Sequence, residues 1–297
     1  MNASLQKKYL AAFVEVIRKT SSELPKDVAD AIHVGRSKEA PGSRAEYALG
    51  IIEKNIELGK LKSQPLCQDT GTNLFYVHYP RKLDPEILTK VIKKAVIEAT
   101  KKGYLRQNSV DSITGKNSGT NVGPGSPVIH LEAWNKDFMD MRLMLKGGGC
   151  ENVGAQYSLP DTKLGAGRDL NGARKCILDA IVQAQGKGCG PGILGICIGG
   201  DRGTGYAVSK EQFLRKLTDK NSNPALAKLE EEVTAQANQL GIGPMGFGGG
   251  TTLLGAKIGV VNRVPASFFV SISYMCWAFR RQGASITAKG EIKKWFY

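Results

Sequence analysis

Apolar residues Leu5, Tyr9, Phe13 and Val16 recur at helical spacing, so the chain is predicted to open with an amphipathic helix. Ser43 and Glu46 make a capping-box pair ahead of Tyr47, Ile51 and Leu58, and Gly59 ends that run. Asp84 before Pro85 is an N-cap with proline at the first helical position. It predicts a helix through Ile87, Val91 and Ala95, stopping at Gly103. Leu170–Gln185 reads as a further helix, Ser209 with Gln212 as the cap of another, and Asn223-Pro224 as the start of one that ends at Gly241. Short apolar runs at Leu74–Val77, Val128–Ala133, Met139–Leu145, Ile193–Ile198, Lys257–Val261 and Phe268–Tyr274 predict strands, the second and third of them joined by a polar turn.

With 297 residues the chain can bury a large core, and its 41% hydrophobic content is ordinary for a globular protein. No apolar run approaches the roughly 18 residues of a membrane helix. The first twenty residues alternate charged with apolar positions and lack the apolar centre of a signal peptide, so a cytoplasmic protein with no membrane partner is expected. Formal charge is +14, from 41 Lys and Arg against 27 Asp and Glu. The lysines are scattered pairs such as Lys93-Lys94 and Lys293-Lys294, with no basic run interleaved with aromatics. That pattern describes a solvated surface, and no nucleic-acid partner is expected.

Candidate chemistry concentrates in loops. Gln64–Thr72 reads Gln-Pro-Leu-Cys-Gln-Asp-Thr-Gly-Thr and follows a long helix that Pro65 must end. Gly71 lets the backbone turn back into the first strand, so Cys67, Gln68 and Asp69 sit at a helix-to-strand junction. A plain turn, with Asp69 bonding its own backbone, fits the same residues. Of six cysteines none are spaced Cys-x-x-Cys, which argues against a zinc ribbon or a thioredoxin-type site. Cys176 and Cys197 fall in a helical and an apolar strand run and read as core. Cys67, Cys150, Cys189 and Cys276 lie beside Gly, Pro or polar residues. The 36 glycines cluster at Gly147–Gly149, Gly186–Gly195, Gly199-Gly200 and Gly241–Gly250, where backbone can approach a ligand or simply turn. Gly190–Gly195 and Gly241–Gly246 match Gly-x-Gly-x-x-Gly, but neither follows a strand and opens a helix, so a dinucleotide site is rejected.

Pro65–Thr72, Lys146-Gly-Gly-Gly-Cys150-Glu-Asn152, Gly188-Cys189-Gly-Pro191, Leu240–Gly249 and Met275-Cys276-Trp-Ala-Phe-Arg-Arg281 occur in that order. Together they resemble the alpha subunit of the iron–sulfur hydro-lyases of the class I fumarate hydratase and L-tartrate dehydratase family, from about Leu24 to about Ser285. The resemblance implies a 4Fe-4S cluster held by Cys67, Cys189 and Cys276, with one iron left open to substrate. It marks Gln68 and Asp69 as active-site residues, Asp69 in proton transfer. Arg106 takes the place of a substrate-carboxylate arginine, whose fork suits that task. The triple glycine around Gly148 corresponds to backbone that contacts substrate. The elements and the resemblance together predict an α+β fold, with a helical N-terminal part and sheet-containing lobes around a central cluster. One family domain would fill 1–297, with sub-lobes of 1–66 (helical) and 67–297 (mixed).

The implied activity is reversible hydration of a small dicarboxylate such as fumarate, in partnership with a beta subunit as a heterotetramer. Dehydration of L-tartrate, hydration of a substituted fumarate, and a catalytically silent cluster-binding subunit stay open as alternatives. Cys150 falls where relatives can carry serine and is left out of the cluster. Cys189-Gly-Pro191 replaces a common Cys-Pro-Pro, and Val264 stands where relatives have an active-site histidine. The histidines of this chain, His33, His78 and His130, are not placed in sequence to substitute for it.

Overall fold

The structure is a computed structural model and describes residues 2–297. Helices and strands make up 42% and 24% of it, an α+β fold with two mixed sheets. The chain divides into two discontinuous units. The first comprises residues 2–26, Asn55–Gly148 and Ala278–Tyr297; the second comprises Asp27–Lys54 and Gly149–Trp277.

The first unit holds α1 (Ala3–Ser22), β1 (Thr72–Pro80), α4 (Pro85–Lys101), β2 (Val128–Trp134), β3 (Phe138–Lys146), β8 (Arg281–Thr287) and β9 (Ile292–Trp295). Two helices fall between α1 and β1 in the chain: α2 (Lys26–Lys38) and α3 (Arg44–Lys62). Asn2 caps α1 by accepting the Leu5 N–H, and Asp84 caps α4 by accepting those of Glu86 and Ile87. Each cap stabilises its helix by about 1 kcal/mol. Tyr9, Phe13, Val16 and Ile17 of α1 are buried in one core with Leu88, Ile92 and Ala95 of α4 and with Phe75, Val77, Met141 and Leu143 of the sheet. A buried Phe13 or Ile17 contributes roughly 1.5–3 kcal/mol.

The sheet order is β2-β1-β3-β8-β9. Strands β2 and β3 are therefore not neighbours, although only a short polar turn joins them. β1 lies between, parallel to β2 with Tyr76 opposite His130, and antiparallel to β3 with Thr72 opposite Lys146. The parallel pair needs a crossover, and α4 supplies it.

The second unit holds α5 (Gly148–Asn152, which starts on the last residue of the first unit), β4 (Ala155–Ser158), α6 (Leu170–Ala184), β5 (Gly192–Gly199), α7 (Arg202–Glu211), α8 (Pro224–Gln239), β6 (Leu253–Val261) and β7 (Phe269–Met275). Its sheet order is β4-β7-β5-β6, with β5 parallel to β6 and antiparallel to β7. Ile177 and Ile181 of α6, Leu229 and Val233 of α8, and Ile196, Ile258 and Ile272 of the sheet share its core. Helix α7 is capped by Asp201, so Ser209 does not open a helix. It lies inside one, fully buried, with its hydroxyl on the Tyr206 carbonyl and the Ser273 hydroxyl. Asp201 precedes two small residues whose N–H groups it can reach, and that local bond decides the start.

Candidate active site

In the first unit α3 ends before Ser63, and the Gln64–Thr72 loop leads into β1. The loop is anchored at its start: Leu66 N–H donates to the Ser21 carbonyl, and Asn55 Nδ2 donates to the Leu66 carbonyl. Gly71 has φ +77°, and a Cβ there would lie 2.5 Å from the Lys146 carbonyl, so only glycine lets the loop close on the end of β3. That approach brings Asp69 to the Gly147-Gly148 turn. Asp69 Oδ2 accepts the Gly148 N–H at 2.7 Å. Its Oδ1 accepts the Gly71 N–H at 2.9 Å and Asn108 Nδ2 at 3.2 Å. Three donors thus fix the direction in which the carboxylate faces.

Arg106 reaches the same place. Its N–H donates to Thr70 Oγ1, and its carbonyl accepts Asn121 Nδ2. The backbone is pinned while the exposed guanidinium makes no ion pair among the described residues. Gln68, Asp69, Arg106, Gln107 and Asn108 line one open cleft of about 690 Å³. A carboxylate, an amide and an unpaired guanidinium on one cleft can hold a small anion and exchange a proton with it. Gln68, Asp69, Arg106 and Gly148 are thus brought together within this unit. Asn108 is not singled out from the sequence: it lies two residues after Arg106, and its bonds to Asp69 and Thr70 are not visible there.

In the second unit Cys189 follows a 3-10 turn at Gln185–Gly188 and has φ +53°, a conformation costly for a residue with a Cβ. Its loop is tied on three sides. The Cys189 carbonyl accepts the Trp277 N–H at 3.3 Å, the Gly190 carbonyl accepts the Met245 N–H at 3.0 Å, and Gly192 N–H donates to the Thr252 carbonyl. The bond to Trp277 sets Cys189 beside Cys276, the residue that follows β7. The same loop wraps the ring of Tyr274: a Cβ on Gly188 or Gly192 would come within 2.4 Å of that ring. Burial raises the Tyr274 phenol above its ordinary pKa, and the nearby Cys276, Cys150 and Cys189 push the same way. Cys150 is buried in α5, and its Sγ accepts the Cys276 N–H at 3.3 Å. Val264 is 65% exposed on the turn before β7.

Cys67 is partly exposed in the first unit, and Cys189 is exposed in the second. Cys176 and Cys197 are fully buried, and burial pushes each thiol up to about 11. Such thiols stay protonated, and a protonated thiol is a poor ligand. Among the described residues no three His, Cys, Asp or Glu side chains lie close enough to share a single metal ion. An iron–sulfur cube takes each thiolate on a different iron, which spreads its ligands wider than those of one ion.

The fumarate hydratase (Fumerase) family matches this chain over residues 11–285. The chain belongs to that family. Among its relatives, a putative class I fumarate hydratase of Geobacillus stearothermophilus is 52% identical over 98% of this chain and 57% of the relative. The chain therefore spans little more than half of that relative's length. A putative L(+)-tartrate dehydratase subunit alpha of Methanocaldococcus jannaschii is 33% identical, covering 90% of this chain and 94% of the relative. The L(+)-tartrate dehydratase subunit alpha of Escherichia coli is 29% identical over 88% of this chain and 85% of the relative. Among the described residues, no helix of this fumarate hydratase family member is long and apolar enough to cross a membrane.

Proposed function

We propose that the chain is the alpha part of a hydro-lyase that reversibly adds water to a small dicarboxylate of the fumarate–malate type. The observation that carries the reading is the three-donor anchoring of Asp69 in the cleft it shares with Arg106, within a chain of this family. Arg106 meets a substrate carboxylate, since its guanidinium is exposed and has no competing anion among the described residues. Asp69 holds or moves a proton at the substrate carbon, oriented by Gly71, Asn108 and Gly148. Gln68 offers a neutral amide that can bond a hydroxyl or a carboxylate from the same wall.

Cys67, Cys189 and Cys276 would hold the 4Fe-4S cluster. Their donor chemistry fits: they are thiols at loop positions, whereas Cys176 and Cys197 are core thiols held neutral. When bound, the cluster supplies a Lewis-acidic iron that polarises the hydroxyl being added or removed. A beta subunit, or the further length that the Geobacillus relative has, would supply the remaining substrate groups, as a heterotetramer in the two-chain case.

Tartrate is the second reading. Two alpha-subunit relatives that match most of their own length carry tartrate dehydratase names. The test is a rate assay on fumarate, malate, L-tartrate and methyl-substituted fumarates, with the cluster reconstituted and the partner chain present or absent. Turnover of fumarate only in the complete assembly is expected. Turnover of tartrate alone selects the second reading, and no turnover of any diacid leaves a silent subunit.

A further inference from the structure

Cys276 is the first residue after β7, whose last residue, Met275, stands opposite Ile193 of β5. Past Met275 the strand ladder no longer orients the chain, and other contacts take over. Two are present in the second unit, one on each side of the Cys276 Cα. The Cys276 N–H donates to Cys150 Sγ at 3.3 Å, and the Trp277 N–H donates to the Cys189 carbonyl at 3.3 Å. The first N–H belongs to the peptide plane before the Cα, the second to the plane after it. A residue has only two soft backbone dihedrals, so holding both flanking planes fixes the direction in which its thiol leaves the chain.

Cys150 is a firm point for this purpose. It is 4% exposed and Cys276 is 8% exposed, so water has little access to the bond between them. Two contacts hold the neighbourhood of Cys150 within the second unit. Glu151 pairs with Lys210 of α7 at 2.7 Å, and Ala155, in the strand that follows α5, stands opposite Ile272 of β7. A thiol sulfur is a weak acceptor, but taking it away from a buried N–H still costs free energy.

We propose that Cys150 is a positioning residue for the iron–sulfur site. Its sulfur stays outside the cluster, accepts the Cys276 N–H, and so sets how the Cys276 thiol is presented. This rests on the reading of Cys276 as a cluster ligand. The acceptor is what counts at position 150. Serine keeps one, on a shorter bond to Cβ. Valine fills the space without an acceptor, and alanine leaves both space and N–H unfilled.

The experiment uses the complete assembly, reconstituted with iron and sulfide, as wild type, Cys150→Ala, Cys150→Val and Cys150→Ser. Iron per chain, the visible circular dichroism of the cluster and its rate of bleaching by a ferrous-iron chelator are measured without oxygen, well below each melting temperature. All four proteins should take up equal iron. Cys150→Ala and Cys150→Val should bleach about fivefold faster than wild type or more, as expected for a buried N–H that loses its acceptor. Their cluster dichroism should change too, because it reports how the thiolates are arranged. Cys150→Ser should fall between these two and wild type in both readings. If one of Cys150→Ala and Cys150→Val does not fold, the other carries the comparison. Bleaching of Cys150→Val at the wild-type rate would mean that volume alone matters, and overturns the proposal. So does a wild-type rate in Cys150→Ala, or a Cys150→Ser that bleaches as fast as Cys150→Ala. Loss of iron from every variant would make Cys150 a ligand and also overturns it. Each of these leaves the cluster reading standing. If wild type itself takes up no iron and sulfide, the cluster reading fails, and this inference with it.

Discussion

Asn108 Nδ2 lies 3.2 Å from Asp69 Oδ1 and 3.1 Å from Thr70 Oγ1, and it donates to both. Asn108 is itself held, because its N–H donates to Asn121 Oδ1 at 2.7 Å. Asp69 is thus oriented through a chain of amides that Asn121, buried, anchors to the rest of the unit. Replacing Asn108 by Ala removes one of three donors to the carboxylate. A bond of this kind is worth about 1 kcal/mol, so kcat should fall roughly fivefold to tenfold while the melting temperature moves little. Steady-state kinetics and a thermal melt of Asn108→Ala in the assembled enzyme check this. Unchanged kcat would mean that Asp69 needs no help from Asn108.

The cysteines divide by environment. Cys67→Ser, Cys189→Ser and Cys276→Ser should each lose most bound iron and sulfide, whereas Cys176→Ser and Cys197→Ser should keep it. Iron and sulfide analysis of the purified variants is the measurement, and full cluster content in Cys189→Ser would sink the assignment.

Buried thiols also give a pH dependence with a definite sign. Burial raises Cys176 and Cys197 from 9.0 to about 11. Between those values the unfolded chain releases protons that the folded chain keeps. Their contribution to stability is therefore complete below about pH 9 and is lost as pH rises toward 11. The melting temperature should fall over that window, and less steeply in Cys176→Ala than in wild type. Equal slopes would show that Cys176 is not held neutral by its surroundings.

Tyr274 explains two glycines of the Cys189 loop. A Cβ on Gly192 would sit 2.4 Å from Tyr274 Cζ and Oη. Gly192→Ala should destabilise the protein by roughly 1–3 kcal/mol, as overpacking does. Adding Tyr274→Ala should recover part of that loss, since the clash disappears with the ring. A double-mutant cycle from denaturant melts measures the coupling, and strict additivity would contradict the packing described.

Val264 puts an exposed apolar group on the turn before β7, where the resemblance implies a histidine. Val264→His should raise kcat/KM for fumarate roughly twofold to tenfold, the worth of one restored neutral hydrogen bond. Methyl-substituted fumarate should lose ground in the same variant. No change in either ratio would place Val264 outside the site.

Local signals were legible in the sequence because they depend on neighbours in the chain. Asp84-Pro85 and Asn223-Pro224 both start helices where expected, since each cap bonds its own next residues. Ser209 misled because its hydroxyl had a better partner, Ser273, 64 residues away. The separation of β2 from β3 was hidden for a similar reason: strand order is set by which apolar faces meet, and β1 wins the place between them. The loop holding Gln68 and Asp69 was readable from its residue types and Pro65. The support from Asn108 was not, because an amide 39 residues away in the chain looks the same whether or not it meets Asp69.

The most direct measurement is the rate of fumarate-to-malate conversion by the cluster-loaded assembly, wild type beside Asp69→Asn, with iron content matched. Asn keeps the shape and one acceptor oxygen, enough for the Gly148 N–H or for the Gly71 and Asn108 donors but not for all three, and it cannot accept a proton. Wild type should turn over, and Asp69→Asn should be slower by roughly a hundredfold to ten-thousandfold, the usual worth of a positioned acid–base group. Turnover by Asp69→Asn at the wild-type rate, or no turnover of fumarate by wild type, would contradict the assignment of this chain as a dicarboxylate hydro-lyase working through Asp69.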